Sequence, residues 1–103
     1  MMPETMDKGL PVHSLYVGSR DGGVFPKADR QAVIEAASST FDCFTVFDAN
    51  GFFQGRSVAT LVIKITTNDR ATVKVLGRSL GRLLDQQTVG WETAGQYQSI
   101  STG

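Results

Sequence analysis

The sequence has few of the residues that most often carry chemistry. Cys43 is the one cysteine and His13 the one histidine. A single cysteine excludes an intrachain disulfide and a cysteine-rich metal site. A single histidine excludes a multi-histidine zinc or iron centre within one chain. Charge of one sign is not in excess either. Ten basic residues balance ten acidic ones, and a formal net charge of zero removes the bulk attraction to nucleic acid or an anionic membrane. No apolar run is long enough for a signal peptide or a membrane span, so the cytoplasm is the expected location. Internal repeats and low-complexity stretches are missing. The carboxylates are scattered, and no pair stands out as acid and base. No catalytic residue, metal or cofactor is therefore expected.

A length of 103 residues supports one core and leaves no room for a second. Hydrophobic residues at 41% and charged residues at 19% mark a folded chain rather than a disordered one. Near-zero charge on so small a domain also gives little protection against self-association.

Residues 1–11 are polar, contain two prolines and show no period, as expected of a flexible leader. The segment 12–93 carries the pattern of a domain. Val12 to Val17 is β-rich and ends at Gly18. Pro26 suits a first helical turn, and Lys27 to Thr40 places Val33, Ala36, Ala37 and Thr40 at helical spacing. A second strand is expected over Cys43–Phe47. Asn50-Gly51 is the strongest turn signal. After Phe52–Ser57, Val58 to Thr66 alternates strictly, with Ala59, Leu61, Ile63 and Ile65 on one face. Asn68 is a plausible helix cap, followed by an apolar stripe of Val73, Leu76, Leu80, Leu83 and Leu84. Val89 and Trp91 mark a fourth strand. Residues 94–103 read as a polar, frayed tail.

The order β-α-β-β-α-β, with right-handed crossovers, predicts an α+β ferredoxin-like sandwich. Its four-stranded antiparallel sheet carries both helices on one face. Gly77 and Gly81 within the second helix imply close approach to the other helix or to the sheet, because glycine there costs about 1 kcal/mol relative to alanine. The other sheet face is left bare. Tyr, Val and Trp on that face would make it an association surface, so a homo-oligomer, dimer or trimer, is expected.

Two segments are candidates for binding. The loop from Gly18 to Gly23 joins a strand to a helix, where backbone N–H groups can hold an anion with Ser19, Arg20 and Lys27 as further donors. It matches neither the Walker pattern nor the dinucleotide fingerprint, and a plain turn is the favoured reading. In the second segment, adjacent Phe52 and Phe53 must point to opposite faces of a strand, which exposes one ring to a partner or a flat ligand, with Arg56 supplying charge. The alternative is a long hairpin bulged at Gly55, its exposed ring covered by a neighbouring subunit. Arg70, Lys74, Arg78 and Arg82 recur every four residues, as a phosphate-contacting stripe or as a solvated helix face. Cys43 is expected as a small core residue and His13 as a strand residue with a local partner, on strands that are not neighbours.

Ser14-Leu15-Tyr16-Val17-Gly18, the stretch from Phe44 to Gly55, and Leu84-Asp85-Gln86-Gln87-Thr88-Val89 occur in an order that resembles small bacterial proteins of ferredoxin-like fold. Those proteins lie near the P-II signalling and divalent-cation-tolerance group. The resemblance covers most of Val12 to Glu92 through short motifs. It implies oligomers, trimers among them, with small ligands held between subunits and a partner-binding connection between strands two and three. The basic nucleotide-binding residues of that group have no counterpart here, so nucleotide binding is not implied. The expected function is a non-enzymatic oligomeric domain of regulatory type that binds a small ligand or a protein partner. The alternative is a small enzyme with its active cavity on the sheet face or between subunits. Nucleic-acid binding through the second helix ranks below both.

Overall fold

The computed structural model describes residues 9–103, so the greater part of the expected leader lies outside the described residues. The chain runs β1 (Val12–Gly18), α1 (Lys27–Ser38), β2 (Thr45–Phe53), β3 (Arg56–Thr66), α2 (Arg70–Leu83), β4 (Thr88–Thr93) and β5 (Gln96–Ser101). One antiparallel sheet takes the order β2-β3-β1-β4-β5. No described helix is long and apolar enough to cross a membrane.

Alternation on β1 decides which side of the sheet is covered. Leu15 and Val17 are opposite Ile63 and Leu61 on β3, and all four are buried with Val33 and Ala37 of α1 and Val73, Leu76 and Leu80 of α2. The apolar stripe of α2 thus meets the odd-numbered parity of β1 and β3. Asp69, one residue after the expected cap, starts this helix. Its carboxylate accepts from the Thr72 N–H at 3.0 Å and from the Thr72 hydroxyl at 2.6 Å. Those bonds to the charged form hold the Asp69 carboxyl below its ordinary value.

Gly77 and Gly81 are pressed against the sheet, not against α1. A methyl at Gly77 would run into Ile100 and Leu15, and one at Gly81 into Thr102 and Val89. Close helix-to-sheet packing is what the glycines permit, and the strand they admit was not expected.

That strand is the main correction to the fold. The sheet has five strands rather than four, because residues 96–101 of the supposed tail form β5. Ala94-Gly95, at φ of +53° and +77°, makes the two-residue left-handed turn that joins β4 to β5. β5 is an edge strand with Ile100 as its one buried apolar side chain, so it has no alternating signature to read. The same turn geometry recurs at Gln54-Gly55, φ +52° and +78°. Asn50-Gly51, expected to turn, lies inside β2 opposite Ala59 and Val58. Ladder pairing along the nine residues of β2 overrides the local turn preference. Cys43 is exposed ahead of β2 and is not a core residue. Trp91 is opposite Leu15 on the covered side, only 3% exposed, and is not part of the bare face.

Candidate functional site

The even-numbered residues of β1 face away from the helices. Across the sheet they align with Thr45, Lys64, Ser14, Glu92 and Tyr97 in one row, and with Phe47, Val62, Tyr16, Gly90 and Ser99 in the next. No helix covers these rows, yet Val62, flanked in register by Phe47 and Tyr16, is buried. The bare face is therefore structured by its own aromatic side chains.

Tyr16 is central to it. Its hydroxyl donates to Glu92 Oε1 at 2.5 Å. Its ring lies 6.1 Å from that of Tyr97, tilted by 47°. Tyr97 in turn crosses the backbone of β4 at Gly90, where any side chain would collide with its hydroxyl. The hydrogen bond to Glu92, then burial, then the Glu92 charge raise the Tyr16 pKa above its ordinary value, so the phenol is a donor throughout the neutral range.

Beside Tyr16, towards the β2–β3 turn, an open cleft of about 370 Å³ is lined by Gly18, Gly51, Phe52, Phe53, Val58, Thr60, Gln86 and Thr88. A smaller one of about 300 Å³ lies between Asp21-Gly22 and Phe53, Arg56, Ser57 and Val58. Phe53 and Val58 are common to both. The larger cleft falls within the size of small-molecule sites and has Tyr16 and Gln86 among its walls, which makes it the stronger candidate. Both phenylalanine rings stand at its rim, 74% and 68% exposed. Sequence reasoning singled out Phe52, Phe53 and Arg56, and the fold sets them next to the clefts. It did not single out Gln86 or Glu92: Glu92 reaches Tyr16 only because β1 pairs with β4, and Gln86 joins Tyr16 in the cleft wall from the loop after α2.

Ser19, Arg20 and Lys27 do not form an anion site with them. Ser19 is buried and donates to Gly23 O at 2.8 Å. Arg20 binds Asp29 at 3.0 Å, Asp85 at 2.8 Å and the carbonyl of Leu83 at 2.7 Å. Its guanidinium fastens the loop to the start of α1 and the end of α2 through one bond from each of its nitrogens. Lys27 is exposed at the first position of α1. Three of the four cations of α2 also turn to the protein, and Lys74 is exposed. Arg70 stacks over Trp91 at 4.7 Å, Arg78 reaches Ser101 O and Arg82 reaches Thr102 O.

His13 is fully buried on the helix side, and its partners are remote in sequence. Trp91 Nε1–H donates to its Nδ1 at 3.0 Å, and Thr93 Oγ1 lies 2.6 Å from the same nitrogen. Because indole is a donor only, Nδ1 must accept and the ring proton sits on Nε2, facing Thr67 O at 3.1 Å. This cluster faces away from the cleft. Among the described residues no three His, Cys, Asp or Glu side chains gather to hold a metal.

No protein-family model and no curated protein sequence matches the chain. Solved structures do. A phage SAM lyase in complex with S-methyl-5'-thioadenosine superposes with a TM-score of 0.69 at 16% identity, covering 90% of both chains. The apo form of phage SAM lyase gives the same score and identity over 98% of this chain and 96% of that one. At this identity the likeness shows a common fold. It also corrects the functional expectation: both of these solved structures are of an enzyme, against a non-enzymatic binding domain. The alternative, a small enzyme with its cavity on the sheet face or between subunits, agrees better with these neighbours.

Proposed function

We propose that this chain is a small enzyme that breaks a carbon–sulfur bond in a sulfonium nucleoside of the S-adenosylmethionine class. The observation that carries the proposal is the fold shared over nearly the whole chain with a phage SAM lyase solved with S-methyl-5'-thioadenosine. The cleft supports it by its size and its walls. In such a reaction the bond from sulfur to the methionine chain breaks, both electrons go to sulfur, and a neutral thioether leaves. The carbon chain replaces the lost pair either from its own carboxylate, whose oxygen bonds the carbon that loses sulfur, or from an adjacent C–H bond whose proton passes to a base. The protein has to hold the nucleoside, place negative charge near the cation and keep water out. Phe52 and Phe53 offer flat apolar surface for a base. Glu92, oriented by the Tyr16 hydroxyl, supplies the negative charge.

A homo-oligomer belongs to the same proposal. Its support is the uncovered face and the two exposed phenylalanines at the rim, surface that a second copy would bury. The sheet order β2-β3-β1-β4 supports the ferredoxin-like description, with β5 added at one edge.

Incubation of the purified protein with S-adenosylmethionine should release S-methyl-5'-thioadenosine, measured by chromatography. Tyr16→Phe and Glu92→Gln should each slow release by about tenfold or more. Release no faster than in buffer overturns the proposal.

A further inference from the structure

We infer that Gln86 selects the base of the bound nucleoside, accepting a hydrogen bond from an exocyclic amino group. This rests on the cleft being the nucleoside site. Gln86 follows the end of α2, and its backbone is fixed from both sides. Its N–H donates to Gly81 O at 2.8 Å, and its carbonyl accepts from the Thr102 hydroxyl at 2.6 Å. The side-chain amide is fixed as well. Nε2 donates to Ser19 O at 3.0 Å and to Leu84 O at 3.2 Å, which uses both of its hydrogens. Flipping the amide would set Oε1 against two carbonyl oxygens, so the assignment of oxygen and nitrogen follows from the network.

What remains is Oε1, an acceptor that makes no hydrogen bond among the described residues. It lies above Gly18, 3.6 Å from where a β-carbon would stand on that residue, and Gln86 and Gly18 both line the cleft. The absence of a side chain at Gly18 keeps the acceptor accessible from the cleft. An acceptor that cannot rotate into a donor distinguishes ligands by hydrogen-bonding sign. A 6-amino purine presents N–H to it, and a 6-oxo purine presents a second oxygen, which it repels. The same amide thus closes the 19–23 loop against the end of α2 and reads the base.

The test compares S-methyl-5'-thioadenosine with S-methyl-5'-thioinosine, which differ at the 6 position, by calorimetry on the intact protein. Backbone NMR locates the site. The wild type should bind the amino compound at least about tenfold tighter, with shifts at Gly18, Thr60 and Gln86. Gln86→Met, which removes the acceptor, should bring the two affinities within about twofold of each other. The wild-type comparison decides even if that variant does not fold. Equal affinity, or preference for the oxo compound, overturns the role of Gln86 and leaves the cleft as the nucleoside site. Failure of both compounds to bind, or shifts confined to other surfaces, overturns the cleft and this inference together.

Discussion

Strand β1 carries two proteins' worth of duties on alternate residues. His13, Leu15 and Val17 are fully buried beneath the helices. Ser14, Tyr16 and Gly18 face the side that no helix covers. On the covered side, apolar groups interlock with α1 and α2, and the one buried imidazole has a partner on each nitrogen. On the bare side the residues are aromatic, small or polar, and Tyr16 and Gly18 line an open cleft. Core packing and the cleft wall are separated here by a single step along the strand, because the side-chain period of a strand is two.

The sharpest way to break this division is a pair of neighbouring substitutions. Leu15→Ala should cost about 2–5 kcal/mol in urea unfolding. Tyr16→Phe should cost less than about 1 kcal/mol while slowing S-methyl-5'-thioadenosine release. Equal losses of stability would mean that the two faces are not distinct. Next in size, Trp91→Phe removes a donor from buried His13 and should cost about 1–3 kcal/mol. Turnover by the remaining folded protein should not change, since Trp91 lies across the sheet from the cleft. A smaller effect separates the faces by pH. The folded-state pKa of Tyr16 is raised, so the stabilisation from its bond to Glu92 is complete below the ordinary tyrosine value. It is lost as pH climbs through the raised value. Unfolding curves of wild type and Tyr16→Phe should therefore converge only at strongly alkaline pH, and convergence near neutrality would refute the assignment. The smallest change is expected from Asp69→Asn at the helix cap. The Asp69 pKa is lowered, so the capping contribution is present above the ordinary carboxylate value and fades as pH falls through the lowered one. The difference in thermal midpoint between wild type and variant should disappear in acid.

Much of the covered side was legible in the sequence. The alternation from Val58 to Thr66 and the stripe from Val73 to Leu84 are periodic signals of burial, and they placed β3 and α2 within one or two residues. What escaped were features without a period. β5 is held by ladder hydrogen bonds and one buried isoleucine, and Gln-Gly and Ala-Gly are weaker turn signals than the Asn-Gly that β2 absorbed. The site was legible only at its rim. Adjacent phenylalanines announce themselves in a linear reading, whereas Glu92 reaches Tyr16 through pairing across 76 residues, and Gln86 joins Tyr16 in the cleft wall from the loop after α2. Arg20 misled for a related reason: its charge is visible in sequence, but Asp85, which neutralises it, is 65 residues away.

The partition of the aromatic residues also makes the molecule its own optical instrument. The chain has one tryptophan and two tyrosines. Trp91 is buried on the helix side against His13, so its emission follows unfolding and the loss of a fixed, dry environment. Tyr16 and Tyr97 are paired on the opposite face, next to the cleft, so their absorbance and near-ultraviolet dichroism follow events there. Selective excitation of the indole and difference spectra of the phenols therefore give two separate readings from one unlabelled sample, one of folding and one of occupancy.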